Sequence, residues 1–154
     1  MKWGLSILAL CALLAATAPE GGAAEQGGGD AKLLKMVVLS RHGVRSPTQS
    51  SETLESWSRK DWPEWPVKRG ELTQRGAKLA TAMWEQEAAF LREAGLLPSK
   101  GCPEAGTIAV RVDRDQRTRV TGEAVLEGLA PGCGFKPIVN ETDHPDPLFH
   151  PLEA

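Results

Sequence analysis

A short run of basic residues around a single histidine is the part of the sequence best suited to chemistry. Arg41, His42 and Arg45 lie in segment 41–47, directly after the apolar run 36–40. Arginine side chains are permanently charged planar donors that bind phosphate oxygens in pairs. Neighbouring positive charge favours the neutral imidazole, which is the nucleophilic form. The segment therefore predicts a phosphate pocket in which His42 attacks phosphorus; the alternative is a loop histidine between two surface arginines.

The attack requires a particular state of the histidine ring. One ring nitrogen must hold its proton against an acceptor, for which a backbone carbonyl is the natural candidate, so that the other nitrogen presents its lone pair. Gly43 allows a close approach of the backbone to a ligand, and Pro47 fixes the direction in which the chain leaves. The segment thus supplies both the nucleophile and the room for its target.

The elements around this segment follow from hydrophobic patterning. The apolar run 36–40 predicts a strand buried on both faces, and open α/β sheets bind ligands at the carboxyl ends of such strands. A second strand is predicted at 107–112. Helices are predicted from a Thr73 cap to Leu91 and through 123–129. Alternation of strand and helix indicates an α/β fold with a parallel sheet. Between segment 41–47 and the first predicted helix, the proline-rich stretch predicts a long ordered loop.

The amino-terminal residues have the pattern of a secretory signal. Lys2 precedes an apolar run at 5–16, and small residues follow at 22–24. We expect a signal peptide over 1–24 and a flexible leader over 25–31. The apolar run is too short to span a bilayer, which needs about 20 apolar residues, so no membrane association is expected after cleavage. A transmembrane anchor is the alternative.

Composition narrows the class of protein. The chain has 154 residues, 41% of them hydrophobic, and a formal net charge of −2, which fits one globular domain and excludes a general nucleic-acid binder. No cluster of histidines and cysteines has metal-ligand spacing, so no metal or cofactor is predicted. In an exported chain, Cys102 and Cys133 form either one disulfide or two buried thiols.

Segment 41–47 resembles the signature of the histidine acid phosphatases. Residues 72–76, 116–124 and 145–149 are similar to the bacterial periplasmic phytases of that family. The resemblance covers 32–154. It implies the amino-terminal portion of a phosphoglycerate-mutase-like, doubly wound sheet flanked by helices.

The resemblance also implies a role for individual residues. His42 would be the phosphorylated nucleophile, and Asp113 would approach the substrate. Arg117 opens the second predicted helix, although its run of charges is also typical of a solvated face. Cys102 and Cys133 match positions that pair in the family. The groups implied to bind the phosphate are Arg41, Arg45, Thr48 and Arg117.

The implied function is that of a secreted, periplasmic phosphomonoester hydrolase acting on phytate or small phosphate esters, with a phosphohistidine intermediate. Family members carry a later His-Asp dipeptide whose Asp protonates the leaving oxygen, and this sequence has none. We therefore expect a truncated chain, with His144 and His150 in an ordinary loop. The alternatives are a non-catalytic phosphate-binding fragment, a glucose-1-phosphatase and, from the same superfamily, a phosphoglycerate-mutase-like enzyme.

Overall fold

The fold is a partial α/β unit in which two helices pack beside a small parallel sheet. The computed structural model describes residues 32–141 and 146–152; the expected signal peptide and leader lie outside them. Over the described residues the elements are α1 (Ser51–Trp57), α2 (Gln74–Glu93), β1 (Arg111–Val112), α3 (Gln116–Leu129) and β2 (Ile138–Val139). The α/β class and the parallel pairing are confirmed.

Helix α2 begins after its predicted Thr73 cap and continues to Glu93, two residues beyond the predicted Leu91. The Thr73 side chain accepts the backbone N–H of Gly76 at 2.9 Å, which satisfies one of the free donors at the helix start. Its buried side chains include Ala80, Trp84, Ala88 and Leu91, which lie on one face at helical spacing. This face supplies half of the core.

Helix α3 supplies two further residues of this core. Its buried residues Val125 and Leu129 join Trp84, Ala88 and Leu91 of α2 in one hydrophobic cluster. The helices approach closely at Gly128, where an added Cβ would lie 2.5 Å from the carbonyl oxygen of Thr81 in α2. A side chain at this position would force the two helices apart.

Helix α3 starts earlier than the apolar pattern of 123–129 indicates. Its first residue is Gln116, after an Asp115 cap, so Arg117 lies in the first turn. The hydroxyl of Thr118 lies 2.6 Å from the carbonyl oxygen of Asp113 and 2.7 Å from that of Asp115. These polar contacts form the start of the helix, which hydrophobic periodicity alone does not mark.

The predicted strand at 36–40 is wrong in this structure. No strand is assigned to these residues, and Val37 and Leu39 are 85% and 91% exposed. The second predicted strand, 107–112, is shortened to Arg111–Val112. A strand exists only where neighbours take up its backbone hydrogen bonds, and the two-stranded sheet of the described residues supplies none to 36–40.

The stretch predicted as a long ordered loop contains one short helix, α1. Ser50 caps it by accepting the backbone N–H of Thr53 at 3.3 Å. The indole N–H of Trp62 donates to the carbonyl oxygen of Leu54 at 2.8 Å and so ties the following proline-rich chain to the helix. Among the described helices, none has the length and apolar character needed to cross a membrane.

Candidate functional site

The signature segment 41–47 is held against the start of α2 by backbone hydrogen bonds. The carbonyl oxygen of Val44 accepts both the backbone N–H and the hydroxyl of Thr73, at 3.0 and 2.9 Å. Arg45 and Leu72 form an isolated antiparallel bridge. At Gly76 an added Cβ would lie 2.8 Å from the backbone nitrogen of Val44, so a side chain there would displace the segment. The position of the signature thus depends on the absence of a side chain in the first turn of α2.

The nucleophile candidate His42 has a defined tautomer. Its Nδ1 lies 2.8 Å from the carbonyl oxygen of Gly43. Because a carbonyl oxygen can only accept, Nδ1 carries the proton, and in the neutral ring Nε2 keeps its lone pair. The predicted backbone acceptor is confirmed, and in the neutral ring this bond leaves Nε2 as the nitrogen that can attack.

His42 lines a cavity of about 880 Å³. Arg41 and Asp113 line the same cavity, so the structure brings these three predicted residues together. The remaining walls are largely apolar and come from segment 34–39 and the inner faces of α2 and α3. The polar groups therefore lie beside a largely apolar surface that is partly open to solvent, since Val37 and Leu39 are exposed.

Two further predicted residues, Thr48 and Arg117, meet around Gly70. A Cβ added at Gly70 would lie 3.2 Å from the Thr48 methyl group and 3.9 Å from Nη1 of Arg117. The Thr48 hydroxyl donates to Gln49 Oε1 at 3.0 Å, and the Arg117 guanidinium pairs with the Asp115 carboxylate. Both groups have intramolecular partners that a phosphate would replace.

The guanidinium group of Arg45 is only partly hydrogen-bonded within the chain. Its Nη1 donates to the carbonyl oxygen of Ser46 at 2.7 Å, whereas its buried Nε has no hydrogen-bond partner. A buried donor without a partner is costly, and a bound anion would satisfy it. Arg45, Thr48 and Arg117 do not line the cavity that contains His42.

Thr121 connects the nucleophile segment to the helix of Arg117, a role that sequence reasoning missed. Its Oγ1 accepts the backbone N–H of Gly43 at 3.0 Å and donates to the carbonyl oxygen of Arg117 at 2.6 Å. Gln116 adds a second link by accepting the backbone N–H of Leu72 at 2.9 Å. The sequence feature that could have indicated this role is the four-residue spacing of Arg117 and Thr121, which places them on one helix face.

Asp113 directly follows β1 and contacts His150, which sequence reasoning had assigned to an ordinary loop. His150 Nε2 lies 3.0 Å from Asp113 Oδ2, and His150 also lines the cavity. Nearby, the buried Asp146 carboxylate pairs with Arg111 at 3.0 Å. The hydrogen bond from the backbone N–H of Leu148, with help from Arg111, lowers the pKa of Asp146.

Outside the cavity, the structure joins Cys102 and Cys133 by a disulfide, 31 residues apart in sequence. Within residues 32–141 and 146–152, no three metal-binding side chains cluster as a metal site would require.

Comparison with known proteins identifies the family and several relatives of this chain. A family model, the histidine phosphatase superfamily (branch 2), matches residues 32–154. Phytase AppA of Escherichia coli is 44% identical over 124 residues, 80% of this chain and 29% of that protein. A glucose-1-phosphatase of Salmonella typhimurium is 30% identical over 150 residues, 96% of this chain and 34% of that protein.

Solved structures give the same result. A Hafnia alvei phytase in complex with tartrate matches with a TM-score of 0.69 and 44% identity, over 73% of this chain and 28% of that one. A Citrobacter braakii phytase matches with a TM-score of 0.68 and 39% identity, over the same shares. The chain thus spans about a third of the length of the curated relatives. It belongs to the histidine phosphatase superfamily, branch 2.

Proposed function

We propose that this chain carries the nucleophile and phosphate-binding part of a phytase-like acid phosphatase, a phosphomonoester hydrolase. The observation that carries the proposal is the ring of His42, whose Nδ1 donates to the Gly43 carbonyl oxygen. That bond leaves Nε2 as the nucleophile, in a cavity that Arg41 also lines. Family membership supports the same chemistry.

The proposed reaction has two steps. In the first, His42 Nε2 forms a bond to phosphorus, the ester P–O bond breaks, and the leaving oxygen departs with the bonding electrons and acquires a proton. In the second, water attacks phosphorus, the P–N bond breaks, and inorganic phosphate is released. Arginine side chains would stabilise the charge on the transferring group.

The phosphate ligands are proposed from the family resemblance, since Arg41 lines the cavity of His42 whereas Arg45, Thr48 and Arg117 do not. Arg41 lies beside His42 on the cavity wall. The unpartnered Nε of Arg45 is available to an anion. Arg117 and Thr48 would exchange their present partners for phosphate oxygens. Asp113 would face the rest of the substrate. These side chains would contribute to catalysis mainly by orienting the phosphate group and balancing its charge.

Phytate is the preferred substrate in this proposal. The support is the higher identity to phytase AppA, 44%, than to the Salmonella glucose-1-phosphatase, 30%. No residue of this chain is assigned as general acid. Protonation by a general acid is worth ~10²–10⁴-fold, most for a poor leaving group such as an inositol alkoxide. An aryl phosphate, whose leaving group needs no proton, depends less on it.

We further propose that the protein acts after export to the periplasm. The Cys102–Cys133 disulfide supports this location, because disulfides form and persist in oxidising compartments. The signal-like pattern of residues 1–24 points the same way. The partner expected there is a small phosphorylated molecule.

Phosphohistidine trapping tests the function. The chain is mixed with para-nitrophenyl phosphate or phytate and quenched in base, where a phosphohistidine survives, and the label is located by mass spectrometry. We expect label on His42, faster from the aryl ester. His42→Asn should abolish it, whereas His144→Asn, the matched control, should retain it. Phosphate binding without label from either ester would instead favour the non-catalytic alternative.

A further inference from the structure

The turn that contains His150 is anchored by hydrogen bonds of Asp146 that involve the backbone, but not the side chain, of His150. The buried Asp146, 4% exposed, accepts Nη2 and Nε of Arg111 at 3.0 and 3.2 Å and the backbone N–H of Leu148 at 3.0 Å. The Asp146 carbonyl oxygen accepts the backbone N–H groups of Phe149 and His150, both at 2.9 Å. The turn is thus fixed to β1 without any use of the imidazole.

The imidazole of His150 contacts the carboxylate of Asp113, outside the turn. Its Nε2 lies 3.0 Å from Oδ2 of Asp113, which is largely buried, while Oδ1 accepts the backbone N–H of Arg114 at 2.9 Å. Ionised carboxylate oxygens only accept, so Nε2 is the donor. Both oxygens of Asp113 are therefore occupied, and its side chain is held in one orientation.

His150 and Asp113 line the same cavity as His42 and Arg41. We propose that His150 is a positioning residue of the phosphate site, whose Nε2–H holds the Asp113 carboxylate in place on the cavity wall. This inference rests on the proposed function. The turn itself is held by the hydrogen bonds of Asp146 to Arg111, Leu148 and its own following residues.

Loss of the hydrogen bond between His150 and Asp113 should weaken the binding of anions. A carboxylate beside an incoming phosphate ester repels it, and a donated N–H offsets part of that negative charge. Without the donor, Asp113 is free to turn and its charge is exposed to the ligand. Hydrogen bonds to charged groups are strong enough that we expect about a tenfold weaker affinity.

Two substitutions of His150 separate the donor from the shape of the ring. His150→Phe keeps a planar ring but cannot donate. His150→Gln places its amide nitrogen where Nε2 lies and can donate to Asp113. We expect Phe to raise the KM for phytate and the Kd for inorganic phosphate about tenfold with kcat within about twofold, and Gln to restore both.

A double-mutant cycle tests whether His150 acts through Asp113. In the Asp113→Asn background, His150→Phe should add less than about a twofold change, because the charge that the donor offsets has been removed. A full tenfold effect in that background would show direct action on the substrate and overturn the proposal. Unchanged affinity in His150→Phe alone would also overturn it. Urea unfolding of each variant identifies any that fail to fold.

NMR of the imidazole nitrogens tests the positioning role of His150 without depending on phosphatase activity. In the 154-residue chain, Asp113→Asn should shift the ring nitrogen signals of His150 whether or not the chain turns over substrate. Ring signals that do not respond overturn the positioning role. A wild-type chain that binds neither phytate nor inorganic phosphate and forms no phosphohistidine overturns the proposed function, and with it the effect on affinity.

Discussion

Thr121→Val should loosen the link between the nucleophile segment and α3. Thr121 is 8% exposed, and its hydroxyl accepts the Gly43 N–H at 3.0 Å while donating to the Arg117 carbonyl oxygen at 2.6 Å. Valine matches threonine in shape but has no oxygen. The substitution therefore removes one acceptor from a partly buried backbone donor next to His42, and changes little else.

The magnitude follows from these two bonds. An orphaned backbone N–H costs about 1–3 kcal/mol, and the Gly43 N–H is only partly buried, so we expect a loss of about 1–2 kcal/mol in the free energy of unfolding. The Arg117 carbonyl lies within α3, where the loss of the hydroxyl contributes less. Because small displacements of a reacting group are costly, phosphohistidine formation should slow by about tenfold or more.

Thr121→Ser is the matched control, because it keeps the hydroxyl and loses only a methyl group. Urea unfolding of the wild type and both variants measures stability, and base-quenched labelling with para-nitrophenyl phosphate measures the first chemical step. Serine should remain close to the wild type in labelling rate. If valine and serine gave the same stability and the same rate, the hydroxyl would have no part in positioning His42, and the reasoning would be refuted.

Two further outcomes concern stability. Replacing both Cys102 and Cys133 by serine should lower the free energy of unfolding by about 3.7 kcal/mol, from the entropy of closing a loop between positions 31 residues apart. Urea unfolding against the oxidised wild type measures this loss, and equal midpoints would contradict it. The pKa of Asp146 is lowered chiefly by the backbone N–H of Leu148, so its stabilisation is complete above the ordinary value of 3.8 and is lost as pH falls through the folded-state value. Asp146→Asn should therefore flatten the decline in stability below about pH 4, and an unchanged decline would exclude this carboxylate as its source.

The predictions that rested on local patterns agree with the structure. Helix α2 begins at its Thr73 cap and buries the residues of one face, because capping and helical periodicity depend on neighbours within a few positions. The backbone acceptor for His42 is likewise local, since Gly43 is the next residue. The family resemblance of residues 32–154 rested on contiguous segments and is confirmed.

The tertiary structure decided what depends on distant parts of the chain. An apolar run such as 36–40 forms a strand only beside strands that share its hydrogen bonds, and its own composition does not state whether they are present. The contact of His150 with Asp113 joins positions 37 residues apart, through a turn anchored by a buried aspartate. The sequence determined which groups could do chemistry; the path of the backbone decided which of them meet, because such contacts depend on packing between elements and not on spacing along the chain.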